Sequence, residues 1–215
     1  MSKDVVLNYQ DCILRQSDVD LLKGPCWLND AIIGFYFEYL GKQHENVSLK
    51  FLFVCPELAQ LLKLTDPHEY PIFLDPIEAK DKPFVFFPIN DCNSRSSSGG
   101  SHWSLMVFSK KERACFYFDS SNSMNSAVAR DFSRKVMDYL LDGGKGQFIE
   151  VDCPQQDNGY DCGLFVLCFA DVIAEHVLRT GKVDSCNYDR VKSFVHTKRR
   201  ALLALIEKLK GNHEN

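Results

Sequence analysis

Gln155-Gln156-Asp157-Asn158-Gly159-Tyr160-Asp161-Cys162-Gly163 runs straight into Leu164-Phe165-Val166-Leu167-Cys168-Phe169-Ala170. The apolar run is too long for a surface segment. It reads as a buried helix reaching about Leu178, with Cys162 in its first turn. A helix N-terminus presents unpaired N–H groups and the positive end of the macrodipole. Both favour a thiolate over a thiol, and the thiolate is the nucleophile. Most cysteines are small core hydrophobes. Cys162 stands apart from the rest of the nine because polar residues precede it and two partners lie upstream.

Those partners are His102 and Asp119. His102 opens His102-Trp103-Ser104-Leu105-Met106-Val107-Phe108, a period-two pattern that predicts a strand with one face more apolar. Asp119 ends the aromatic-rich strand Ala114-Cys115-Phe116-Tyr117-Phe118. The short connection at 110–113 predicts a hairpin, which sets the start of one strand beside the end of the other. An imidazole oriented by a carboxylate and facing a cysteine is a nucleophile–base–orienter arrangement.

In that order, His102, Asp119, Gln156 and Cys162 resemble the sentrin-specific (SUMO-protease-like) family of cysteine proteases. Gly-Gly-x-His-Trp-Ser matches the family's histidine strand, Phe-Asp-Ser its aspartate turn, and Gln-x-Asn-Gly-x-Asp-Cys-Gly its nucleophile motif. The likeness covers nearly the whole chain, including Trp27-Leu28-Asn29-Asp30, and looks closest to the deneddylase branch. It implies a papain-like α+β fold, with a mixed sheet packed by helices and the nucleophile opening a central helix. It implies Gln156 at the oxyanion position. It implies Trp27 and Trp103 as walls of a narrow tunnel for a Gly-Gly tail, with Asp30 paired to an arginine in that tail. A bare helix cap is the plainer role for Asp30, and a core-edge anchor the plainer role for Trp27. The implied substrate is a ubiquitin-like modifier, neddylin (the Nedd/Rub modifier) before SUMO, with its conjugates. Acyl transfer by the same triad and an inactive modifier-binding module are the other two classes.

The 215 residues fit one domain spanning 1–215, with 45% apolar and 25% charged residues. A net charge of −4 leaves no basic excess for nucleic acid. No signal-peptide pattern and no run of transmembrane length are visible. An odd number of irregularly spaced cysteines fits cytosolic or nuclear thiols better than disulfides, and none forms a zinc motif. We expect no metal, no cofactor, no membrane, and a monomer in cytoplasm or nucleus.

Elsewhere the pattern predicts weak alternation over 5–22, becoming helical near Ser17, which caps it. A buried helix follows Asn29 or Asp30, and a short helix spans 55–63 behind Pro56. The 84–90 strand is apolar on both faces, with Pro88 marking its end or an irregularity. Residues 91–100, with Asn93, Gly99 and Gly100, read as a mobile loop over the site. Residues 126–141 form an amphipathic helix capped by Asn125 and stopped at Gly143-Gly144. Residues 147–151 form a strand. A last helix over 192–209 carries Lys198-Arg199-Arg200, read as a solvated face or a weak nuclear address, and 211–215 as a frayed end.

Overall fold

The computed structural model describes residues 4–44, 51–94 and 99–211. A two-stranded hairpin, β1 (Val5–Tyr9) and β2 (Cys12–Arg15), comes first. Helices α1 (Gln16–Asp20) and α2 (Asp30–Gln43) follow, then β3 (Phe51–Phe53), α3 (Pro56–Leu64) and α4 (Tyr70–Leu74). The centre of the chain supplies β4 (Phe84–Asn90), β5 (Trp103–Ser109) and β6 (Ala114–Phe118). It closes with α5 (Ser126–Leu140), β7 (Gln147–Glu150), α6 (Cys162–Thr180) and α7 (Val191–Gly211).

The main sheet has the order β3-β4-β5-β6-β7. Its outer pairs are parallel and its two inner pairs antiparallel. This is the mixed sheet of the expected α+β class. β5 and β6 form the expected hairpin, with Leu105 opposite Phe118. One strand residue after another serves a different core. Leu105, Val107, Phe116 and Phe118 pack with α2, α6 and α7. Met106, Phe108, Cys115 and Tyr117 pack with α5 and its neighbours. Every residue of β4, β5 and β6 is therefore buried. β5, read as a strand with one face more apolar, is in fact buried on both faces. Helices cover both sides of the sheet, and Ser104 and Ser109 are buried with the rest. At roughly 1.5–3 kcal/mol for each large apolar side chain, these two layers dominate the fold's stability.

Pro88 is not at a strand end; it lies inside β4, opposite Leu105. Phe86 accepts the Val54 N–H, so alternate residues of β4, Pro88 included, face the β3 side. β3 ends at Phe53, paired with Phe86. Beyond that point no ladder donor is required, and proline's missing N–H costs nothing.

At the N-terminal end the weak alternation is a full hairpin turned at Gln10 (φ 50°). Ser17 lies inside α1 rather than capping it; the cap residue is Arg15, whose N–H is bound by Asp18 at 2.8 Å. α6 and α7 match their expected bounds within two residues at each end. Gly211 closes α7, and residues 212–215 of the expected frayed end lie outside the described residues. Among the described residues, no helix is long and apolar enough to cross a membrane.

Candidate active site

The hairpin sets the geometry of the first two groups. His102 immediately precedes β5 and Asp119 immediately follows β6, so antiparallel pairing leaves them side by side. His102 Nε2 lies 2.6 Å from Asp119 Oδ1. Both residues are buried, at 3% and 4% exposure, which shields the pair from water. Asp119 also accepts the Ser121 N–H at 2.9 Å, the Tyr117 hydroxyl at 2.6 Å and the Asn125 N–H at 3.0 Å. Burial alone would raise its carboxyl pKa. The His102, Asn125 and Tyr117 donors outweigh burial and hold it below the ordinary carboxylate value.

For His102, burial opposes the imidazolium. The hydrogen bond to Asp119 and a second one to Cys162 overcome this and lift the pKa to about 9. Because Nε2 is committed to Asp119, Nδ1 is the ring nitrogen left for the thiol. Asn125, expected to cap α5, makes no side-chain cap bond. Its Nδ2 donates instead to the His102 carbonyl at 3.1 Å and to Ser104 Oγ at 3.3 Å. The residue ties down the backbone of the histidine while its own N–H holds the aspartate.

Cys162 is the first residue of α6 and is 2% exposed. The loop before it is held by its own side chains. Asn158 Oδ1 accepts the Tyr160 and Asp161 N–H groups at 3.1 and 3.0 Å, and its Nδ2 donates to Asp161 Oδ2 at 2.9 Å. Gln155 Nε2 donates to the Asp119 carbonyl at 2.9 Å. Gln156 is gripped at both ends: Ser120 Oγ donates to Oε1 at 2.8 Å, and Nε2 donates to the Asn158 carbonyl at 2.7 Å. The carbonyl partner settles which end of the amide is nitrogen, and one Nε2 hydrogen remains uncommitted.

Trp27, Asp30, Gly99, Gly100, His102, Trp103 and Cys162 line one cleft of about 550 Å³. Gln156 and the exposed Asn93 are not among its lining residues. Trp27 is 51% exposed, which rules out the core-edge role. Its indole N–H donates to the Gly159 carbonyl. Trp103 is buried, with its indole N–H on the Leu28 carbonyl at 3.1 Å. Asn29, not Asp30, caps α2, accepting the Ile32 N–H at 3.1 Å. Asp30 is thereby free to face the cleft, as does Glu57. Burial and then the Glu57 charge raise the Asp30 pKa, the mark of a carboxyl lacking a cationic partner.

The flanks of the expected mobile loop are tied together. Asp91 accepts from Ser101 N at 2.6 Å, Ser101 Oγ at 2.7 Å and His102 N at 3.1 Å. Gly100 turns there at φ +99°, where a Cβ would fall 1.8 Å from Asn90 Oδ1. Residues 95–98 of that loop lie outside the described residues.

A Cβ on Gly163 would stand 2.9 Å from Leu28 Cβ. Gly163→Ala must therefore push Leu28, whose carbonyl holds Trp103. Overpacking of this kind typically costs about 1–3 kcal/mol. Urea melts should show that loss; an unchanged midpoint would mean that Leu28 yields freely.

The parts that Tyr117, Ser120, Asn125, Gln155 and Glu57 play in the site were not legible in the sequence. Only Tyr117 carried a usable signal, since residues two apart on a strand share a face.

Residues 26–205 match the family described as "Ulp1 protease family, C-terminal catalytic domain". The chain is 42% identical over 178 residues to Sentrin-specific protease 8 of Homo sapiens, covering 81% of this chain and 84% of that one. It is 35% identical over 214 residues to NEDD8-specific protease 1 of Arabidopsis thaliana, covering 96% and 94%. A solved structure of the C-terminal Ulp1 protease domain in complex with Smt3, the yeast ortholog of SUMO, shares the fold. Its TM-score is 0.74 at 24% identity, over 97% of this chain and 89% of that one. A buried histidine–aspartate pair beside a helix-opening cysteine, with a family match across most of the chain, leads to one conclusion: this chain belongs to the Ulp1 protease family.

Proposed function

We propose that this chain cleaves after the C-terminal Gly-Gly of a ubiquitin-like modifier, and that the preferred modifier is neddylin, the NEDD8 of its relatives' names. The observation that carries the reading is the His102–Asp119 pair in contact with Cys162 on the floor of a cleft walled by Trp27 and Trp103. Glycine has no side chain, so two indoles can close over a diglycine tail and exclude anything larger.

In this reading Cys162 Sγ attacks the carbonyl of the terminal glycine with the Cys162 proton already resting on the His102 imidazolium. The oxyanion is held by the free Nε2 hydrogen of Gln156 and the Cys162 N–H; losing one such donor typically costs about 10²–10³ in rate. The C–N bond breaks as the imidazolium protonates the leaving amine, and a thioester remains on Cys162. His102 then takes a proton from water, which attacks the thioester. The modifier leaves with a free carboxylate, and Cys162 is released with the proton on His102. Asp119 keeps the imidazole oriented and stabilises its charge.

The preference for neddylin over SUMO rests on Asp30 and Glu57, which suit the arginine that neddylin and ubiquitin tails both carry before Gly-Gly and a SUMO tail lacks. The test is a side-by-side assay with C-terminal fluorogenic neddylin, SUMO and ubiquitin. Neddylin should be turned over fastest. Asp30→Ala should lower kcat/KM on neddylin about tenfold, equivalent to one charged hydrogen bond of about 1.4 kcal/mol. A SUMO preference would overturn the modifier and keep the chemistry. Silence on all three tails, with acetyl transfer from acetyl-coenzyme A, would replace hydrolysis by acyl transfer.

A further inference from the structure

The triplet Lys198-Arg199-Arg200 is not a solvated face. Lys198 is 7% exposed; its ammonium donates to the Tyr36 hydroxyl at 2.7 Å and pairs with Asp171, which locks α7 to α2 and α6. The next residue turns toward the active site. Arg199 Nη1 donates to the Leu21 carbonyl at 2.8 Å, and Nη2 donates to both the Cys26 carbonyl and Asp161 Oδ1 at 2.8 Å. The guanidinium carbon also lies 5.8 Å from the Tyr160 ring centroid. The side chains of Arg199 and Asp161 are only 18% and 15% exposed.

The partners fall into two groups. Leu21 and Cys26 belong to the segment that delivers Trp27, one wall of the cleft. Tyr160 and Asp161 belong to the loop that delivers Cys162. The indole bond from Trp27 to Gly159 joins the same two segments on the cleft side. The guanidinium joins them a second time, through the Leu21 and Cys26 carbonyls and the Asp161 carboxylate. A planar fork with five donors can satisfy three acceptors on two backbones at once, which a lysine ammonium on a single flexible stem does less well.

We propose that Arg199 is a positioning residue for the protease reaction, fixing the distance between the Trp27 wall and the Cys162 nucleophile and so the width of the channel for the substrate tail. The proposal rests on the modifier-cleaving reading for its kinetic readout and on the fold alone for its spectroscopic one. Without the fork, the side-chain hydrogen bond that still joins the two segments among the described residues is that of the exposed Trp27 indole. A misplacement of about 1 Å at a reacting centre can cost 10²-fold.

The test compares wild type, Arg199→Ala, Arg199→Lys and a control in the same helix, Ile206→Val. Ile206 is buried away from the cleft in the core shared with α6. With two tryptophans in the chain, a ¹⁵N spectrum reads Trp27 and Trp103 as separate indole peaks. Arg199→Ala should shift the Trp27 peak and leave that of Trp103 in place. It should raise KM for the fluorogenic modifier at least tenfold and lower kcat/KM about 100-fold. Arg199→Lys should recover less than a tenth of that loss. Ile206→Val should keep both indole peaks and a kcat/KM within twofold of wild type, whatever it does to the melting temperature. Two results would overturn the proposal. One is an Arg199→Ala variant with wild-type KM and an unmoved Trp27 peak. The other is activity that tracks melting temperature alike in the arginine variants and the control. If wild type cleaves no diglycine-tailed modifier, the functional reading fails and the Trp27 peak still decides the role of Arg199.

Discussion

Replacing Cys162 by alanine should lower turnover of a diglycine-tailed modifier by a factor on the order of 10⁴–10⁶, the range found when the nucleophile of a catalytic triad is removed. Affinity for the modifier should stay within about threefold, since the truncation removes one sulfur atom from a buried position and leaves the Trp27 and Trp103 walls untouched. The geometry explains why no other thiol takes over. Cys153 is the cysteine bonded at the aspartate turn, but its Sγ contacts the Asp119 carbonyl, not the imidazole. Burial pushes its pKa up to about 11. Cys168, on the same helix as Cys162, is pushed up to about 12 by burial. Single-turnover cleavage and calorimetric binding on the same preparation would check both halves. Residual cleavage above about 1% of wild type would mean that Cys162 is not the nucleophile, because removing a triad nucleophile leaves far less activity than that.

The second large effect is expected at Asp119. Asp119→Asn should cut kcat by a factor on the order of 10⁴, as loss of the orienting carboxylate does in serine triads. The hydrogen-bond pattern adds a cost in stability. Oδ1 accepts from His102 and the Ser121 N–H, and Oδ2 from Tyr117 and the Asn125 N–H. Whichever way an asparagine amide is turned, its NH₂ faces a backbone N–H. Two donors then oppose each other in a buried site. An unsatisfied buried group costs about 1–3 kcal/mol, and breaking a buried charge pair about 3–5 kcal/mol.

The pH dependence separates the two roles. In wild type the imidazolium persists to about pH 9. The alkaline limb of the rate profile should therefore lie there, where the leaving amine loses its proton donor. Without Asp119 the main support for the imidazolium is gone, so the limb should move down toward the ordinary histidine value of 6.5. Stability follows the same signs. The raised His102 pKa contributes fully below pH 6.5 and is lost as pH rises through about 9. The depressed Asp119 pKa contributes above its ordinary 3.8 and is lost as pH falls below that. The difference in unfolding free energy between wild type and Asp119→Asn should thus be largest between about pH 4 and 6.5. A difference that grows toward pH 9 would contradict the pairing.

What was legible in the amino-acid sequence were features written over short distances. The run after Cys162 is apolar on every side because the first half of α6, 162–170, is buried all round, and a polar stretch before it marks the helix start. The His102–Asp119 neighbourhood followed from two adjacent strands and a short turn, since a hairpin needs no information from the rest of the chain. The burial of both faces of β4 was likewise visible in its unbroken apolar composition.

Other features depended on partners far away in the chain. β5 reads as two-faced until helices from both sides cover it. Pro88 looks like a strand terminus until β3 is seen to stop two residues earlier, at the Phe86 pair. Asn125 has the residue type of a helix cap, yet the nearby His102 carbonyl and Ser104 hydroxyl take its side chain. Lys198-Arg199-Arg200 has the composition of a solvated face, yet two of its three cations turn inward. The Arg199 guanidinium meets the carbonyl of Leu21, 178 positions earlier in the chain. By itself the sequence brought out the candidate nucleophile, base and orienter and the elements that carry them, because local periodicity and turn chemistry act over a few residues. Only the tertiary structure decided which buried polar groups satisfy one another and how wide the cleft stands. Those depend on desolvated contacts between segments that share no local pattern, and only the folded packing brings them together.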